Sequence, residues 1–171
     1  MRAMVEIREA RVDEYEHVGE LTYNAYLPLF GTGSLGWYGR QLRDVASRAE
    51  ASEVIVAEID GAVVGALAYY DDYSGEIGES DVELENSAGF RVLAVDPATQ
   101  GKGVGEALTR WCVDRATADG RAAVVLHTTD YMQSAQRLYR RVGFERFPEI
   151  DHKIEGKFPV DVFGFRIPLS G

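Results

Sequence analysis

At 171 residues, with 46% apolar and 27% charged side chains, the chain has the size and composition of one soluble globular domain spanning residues 1–171. No apolar run approaches the roughly 18 residues that a membrane helix needs, and the start, MRAMVEIREA, shows no apolar stretch of a secretory signal. A single cysteine, Cys112, excludes an internal disulfide and fits a reducing compartment, so a cytoplasmic protein is expected.

The net charge of −10 is unevenly spread. Residues 1–90 carry 6 basic against 18 acidic side chains, and residues 91–171 carry 12 against 10. The second half therefore suits an anionic ligand and the first a cationic one. No basic stripe with interleaved aromatics stands out, so neither nucleic acid nor membrane is expected as a partner.

In chain order, Met4–Arg8 predicts a short strand, and Asp13 with Glu16 has capping-box spacing before a helical face of Val18, Leu21 and Ala25. The glycine-rich LFGTGSLGWYG follows with Trp37 and Tyr38, and then one helical stripe of Tyr38, Gln41, Leu42, Val45 and Ala49. Glu53–Ile59 and Ala62–Tyr70 predict a hairpin about Asp60-Gly61. The connection Asp71–Gly89 holds seven acids. Phe90–Val95 predicts a central strand ended by Asp96-Pro97, and a helix is expected over about 104–118. Ala122–Thr128 predicts another strand. Asp130 and Gln133 repeat the capping spacing, ahead of a helix striped by Ala135, Leu138, Tyr139 and Val142 and stopped at Gly143. The tail FPVDVFGFRIPL has strand composition. This order predicts a mixed α/β sheet with parallel pairing in its later half, and ligands at the carboxyl ends of the later strands.

Between the strand and the helix, QGKGVG places Gly101, Gly103 and Gly105 within five residues. The dinucleotide fingerprint fails, because Glu106 and Leu108 stand where its third glycine would be. The Walker loop fails as well, since Gly101-Lys102 follows Asp96 at the required spacing and precedes Gly103. What remains is strand, Asp-Pro, then Gln100-x-x-Gly103-x-Gly105 opening a helix. Unpaired amides at a helix start, glycines that admit oxygens close to the backbone and the charge of Lys102 together suit a pyrophosphate. A tight junction with no ligand would use the same letters.

Read with MQSAQRLYRRVGF (132–144), the stretch LAVDPATQGKGVG resembles the GNAT superfamily of acyl-CoA-dependent N-acetyltransferases. The resemblance covers about residues 90–145. It implies an α/β fold: a mixed, mostly antiparallel central sheet with parallel, splayed central strands and about four flanking helices. It implies acetyl-CoA as cosubstrate and no metal. The pantetheine arm would pair with Leu93, Ala94 and Val95, and the pyrophosphate would lie on Gln100, Gly101, Lys102, Gly103, Val104 and Gly105. Tyr139 would protonate the departing thiolate, and Arg137, Arg140 and Arg141 are candidates for the 3′-phosphate.

Two family positions differ in this chain. The usual general-base glutamate corresponds to Gly89, so the resemblance leaves the base to Glu85, with Glu83, Asp81, Tyr26 and His127 as alternatives. Met132 stands where an asparagine is common. The acceptor groove would be built by Gly31–Gly39, with Trp37 and Tyr38, and by Phe147–Phe163. The acidic segment 71–85 points to a cationic small-molecule or peptide amine, and a homodimer is expected by analogy only. A non-catalytic module that senses acyl-CoA and a different phosphate-ligand protein are the competing readings.

Overall fold

The computed structural model describes residues 4–30, 36–74, 84, 86–156 and 159–169. They divide into two compact units, one of residues 1–69 and 92–111 and the other of residues 70–91 and 112–171. Two strands and one long helix pass from one unit into the other.

In the first unit, β1 (Glu6–Glu9) pairs antiparallel with β2 (Glu53–Ile59), and β2 with β3 (Ala62–Tyr70). The β2–β3 turn is Asp60-Gly61, both residues at positive φ, as the letters demand of a tight hairpin. β3 is apolar along almost its whole length and is buried from Val63 onward, as a strand covered on both faces must be. α1 (Tyr15–Tyr26) packs against α2 (Gly36–Arg43) and α3 (Val45–Ala51), burying Val18, Leu21, Leu42 and Val45.

Two helix starts differ from expectation. Arg11, not Asp13, opens the first helical segment: its amide donates to Glu14 Oε1 at 2.8 Å, and a 3-10 turn, Val12–Glu14, precedes α1. The stripe Tyr38–Ala49 is two helices because the Asp44 carboxylate accepts from both the amide and the hydroxyl of Ser47, starting α3 afresh. The described residues thus hold five α-helices.

β4 (Ser87–Val95) begins in the second unit and ends in the first. Its Ser87–Gly89 segment pairs in parallel with Ala123–Val125 of β5 (Ala123–Thr129). β5 pairs antiparallel with β8 (Val160–Pro168), which also carries β6 (Glu145–Arg146) and β7 (His152–Ile154). The sheet is therefore mixed, with β4 and β5 parallel and the β1–β2, β2–β3, β5–β8, β6–β8 and β7–β8 pairs antiparallel. α4 (Val104–Ala118) follows the glycine loop, and α5 (Gln133–Val142) follows β5. Asp130 does not cap α5. Met132 occupies the cap without a side-chain bond, while Gln136 Nε2 donates to Thr129 O at 2.9 Å. Gly143 ends α5 at φ 120°.

An ion pair fixes β1 to the start of the first helical segment. Both terminal nitrogens of Arg8 donate to Glu14, at 2.9 and 2.8 Å, and Nη2 also reaches Glu58 at 3.1 Å. The Arg8 hydrogen bond, aided by the Arg11 amide and opposed by burial, lowers the Glu14 carboxyl from 4.5 to about 2. A depressed carboxyl pKa stabilises the fold above the unfolded value and loses that contribution as pH falls toward the folded one. Glu14→Gln is expected to cost about 2 kcal/mol at pH 7. Urea unfolding should show that difference closing between about pH 5 and pH 2.

Candidate active site

The candidate cradle lies wholly in the first unit. Asp96 N–H donates to Val64 O at 2.8 Å, so the even-numbered end of β4 faces β3. By strand alternation, the backbone groups of Leu93 and Val95 turn to the opposite edge. Just before them, Val92 sits at φ 59°, a left-handed conformation unusual for a β-branched residue. Leu93 O accepts from the Tyr26 hydroxyl at 3.1 Å.

Beyond β4, the Asp96 carboxylate accepts from Ala98 N at 2.9 Å and closes a 3-10 turn, Pro97–Thr99. Gly101 and Gly103 then take φ 84° and 82°. A Cβ added at either glycine would meet nothing within 4 Å, so backbone conformation and not crowding demands glycine here. The first helical bond of α4 runs from Ala107 N to Gly103 O at 3.0 Å. The amides of Val104, Gly105 and Glu106 therefore precede the intrahelical ladder, at the positive end of the helix dipole. Gln100, Gly101 and Lys102 are exposed, whereas Val104 is buried and anchors the loop. The result is an open, glycine-shaped array of donors beside one lysine, suited to an oxyanion of low curvature such as a pyrophosphate.

Trp37 and Tyr38 also belong to this unit, on α2, with ring centroids 5.9 Å apart at 70°. Trp37 is 65% exposed. Residues 31–35 of the same glycine-rich stretch lie outside the described residues.

Tyr139 lies in the second unit, on α5, buried in an aromatic cage. Its ring centroid is 5.9 Å from Phe90, 6.0 Å from Phe144 and 6.2 Å from Phe165. Burial, and then the nearby Cys112 thiol, push its phenol well above the ordinary value of 10. The proton therefore stays on the oxygen throughout the neutral range. Cys112 is itself buried and its thiol is pushed up by desolvation, as an inert core residue would be. Arg137, Arg140 and Arg141 are exposed: Arg137 Nη2 donates to Ser134 Oγ at 3.0 Å, and the Arg140 guanidinium lies 5.3 Å from the Phe165 ring.

The position to which the resemblance would assign a base, Gly89, is filled in this chain. A Cβ on Gly89 would come 2.2 Å from the Tyr73 ring and 2.5 Å from Val125 O. Tyr73 is fully buried, and its hydroxyl is 3.2 Å from His127 Nδ1. His127 Nε2 is 3.1 Å from Ile150 O. A carbonyl only accepts, so Nε2 carries a proton, and in the neutral ring Nδ1 accepts from the Tyr73 hydroxyl. Sequence reasoning passed over Tyr73 because it stands in an acidic connection with no periodicity. The one available signal was the glycine where a side chain is usual. Glu85, Glu83 and Asp81 lie outside the described residues.

Residues 6–144 match the acetyltransferase (GNAT) family, and the chain belongs to that family. N-acetylaspartate synthetase of Danio rerio is 32% identical over 118 residues, 67% of this chain and 38% of that protein. Mycothiol acetyltransferase of Mycolicibacterium gilvum is 37% identical over 86 residues, 46% of this chain and 28% of that protein. The chain thus spans less than half the length of these curated relatives. A Salmonella typhimurium acetyltransferase solved with acetyl-CoA superposes with a TM-score of 0.69 at 21% identity, covering 97% of this chain and 94% of that one. The ribosomal-protein-S18-alanine N-acetyltransferase of Escherichia coli gives 0.70 at 17% identity, covering 98% and 96%. The fold expected from the sequence is the fold these proteins share. No helix among the described residues is long and apolar enough to cross a membrane.

The two glycine environments predict opposite sensitivities. Gly103→Ala is expected to cost about 1 kcal/mol, the conformational term alone. Gly89→Glu, which would place a carboxylate on β4, is expected to cost about 3 kcal/mol because Tyr73 must leave. Chemical denaturation of the two variants measures both.

Proposed function

We propose that this chain is an acetyl-CoA-dependent N-acetyltransferase that transfers acetyl directly to a primary amine within a ternary complex. The observation that carries the reading is the glycine cradle, with Gly101 and Gly103 left-handed and open to solvent at the start of α4. When bound, acetyl-CoA supplies an acetyl thioester; the chain supplies everything else. Leu93 and Val95 offer backbone donors and acceptors to the amide-rich arm, and Gln100–Gly105 hold the pyrophosphate. Tyr139, neutral throughout the working range, donates its hydroxyl proton to the departing sulfur.

An ammonium acceptor has a pKa near 10.4 and must lose a proton before it can attack. With the Gly89 position occupied by Tyr73, we assign that role to Glu85, four residues earlier. Trp37 and Tyr38 are assigned to the acceptor. The acidic balance of residues 1–90 supports a cationic amine, whereas the name of the Danio rerio relative supports aspartate. The lone, buried Cys112 supports a reducing, cytoplasmic setting.

Thermal unfolding tests the reading first. CoA and acetyl-CoA are expected to raise the midpoint while ATP and NAD leave it unchanged, because only a ligand of the native state stabilises it. An equal rise with ATP would contradict the assignment. Thiol release is then followed over polyamines, aminoglycosides, lysyl peptides and aspartate. Tyr139→Phe is expected to lower turnover on the active acceptor about 100-fold with acetyl-CoA binding retained. Because the Tyr139 phenol is raised, the wild-type rate should climb with pH as the amine deprotonates and show no alkaline decline below about pH 10. A decline well below that pH would assign the proton donor elsewhere.

A further inference from the structure

Val92 holds a left-handed φ of 59° inside β4, and such strain persists only where the surroundings enforce it. Its neighbour Leu93 is extended, so the Leu93 N–H and C=O point to the same edge of the strand, away from β3. On that edge, the Tyr26 hydroxyl donates to Leu93 O at 3.1 Å. Tyr26 is 8% exposed and is the last residue of α1, whose position is fixed independently from β3. There, His17 Nε2 lies 3.0 Å from Val63 O and must be the donor, since a carbonyl only accepts. α1 therefore grips two strands: β3 through His17 and β4 through Tyr26.

We infer that Tyr26 is a positioning residue for acyl transfer. By holding the Leu93 carbonyl, its hydroxyl keeps Leu93 extended directly after the strained Val92 and so aims the Leu93 N–H away from β3. This rests on the acetyl-CoA reading above, in which the Leu93 backbone meets the cofactor's arm, and it adds that the Leu93 amide donates to the thioester oxygen. An amide aimed beforehand polarises a carbonyl more than one that must reorganise on binding. Tyr26 was an alternative general base from sequence. Here its hydroxyl donates a hydrogen bond to the Leu93 carbonyl and acts on the geometry of the strand.

Two variants separate this role from simple support of α1. Tyr26→Phe removes one hydroxyl and leaves the ring; His17→Ala breaks the other grip and leaves Tyr26 in place. The readouts are isotope-edited infrared spectra of acetyl-CoA carrying a 13C carbonyl, bound without any acceptor, and the ratio of acetyl-CoA to CoA affinity by calorimetry. Wild type is expected to shift the bound carbonyl stretch to lower frequency than in water. Tyr26→Phe should lose most of that shift and lower the affinity ratio about five- to tenfold, the worth of one hydrogen bond, with CoA affinity unchanged. His17→Ala should lose thermal stability and keep both the shift and the ratio. A full wild-type shift in Tyr26→Phe, or an equal loss in His17→Ala, overturns the inference. Failure of wild type to bind CoA overturns the acetyl-CoA reading itself.

Discussion

An α-helix begins with amides that its own ladder cannot satisfy, and the structure around residues 96–107 is arranged to present those amides to the outside. The Asp96 carboxylate turns the chain out of β4, two left-handed glycines carry it round, and buried Val104 pins the start of α4. A side chain at Gly101 or Gly103 would meet no neighbour, so packing does not explain these glycines. Backbone conformation does, and the amides of Val104, Gly105 and Glu106 that follow precede the intrahelical ladder. The other features assigned to the site are referred to this one: Leu93 and Val95 precede it on the same strand, and Lys102 adds charge beside it.

The second unit handles its polar groups in the opposite way, by enclosing them. Tyr139 sits among three phenylalanines, which keep its proton in place by making the phenolate costly. Tyr73 fills the space above Gly89 and gives its hydroxyl to His127, whose other nitrogen donates to Ile150 O. A carboxylate on Gly89 would have to displace that whole arrangement. A side chain at Gly89 is thus coupled to the tyrosine that covers it, and the two positions should be altered together in any attempt to place a carboxylate there.

Much of this was legible in the letters. The hairpin Glu53–Tyr70 and the helix 104–118 were readable because apolar alternation, Asp-Gly and the glycine loop are local signals that tertiary contacts reinforce. Capping was misread at Asp13 and Asp130 because a spacing rule cannot tell which of several polar residues meets a free amide. The division at Asp44 was hidden by a stripe that keeps its helical period across the break. Short β6 and β7 owe their existence to β8, which the letters around them do not reveal. In the site, backbone roles were readable because glycine spacing encodes conformation. The Tyr73–His127 pair and the Tyr26–Leu93 bond were not, because they join residues 54 and 67 positions apart.

The central claim is that the backbone of residues 101–106 is the anion cradle. Titrating 15N-labelled protein with CoA while following backbone amide shifts tests it directly. The account predicts that the amides of Gly101, Gly103, Val104, Gly105 and Glu106 move first and furthest and saturate together, and that inorganic pyrophosphate moves the same set at higher concentration. If CoA saturates the protein while these amides stay still, the phosphates lie elsewhere and the cradle is only a turn.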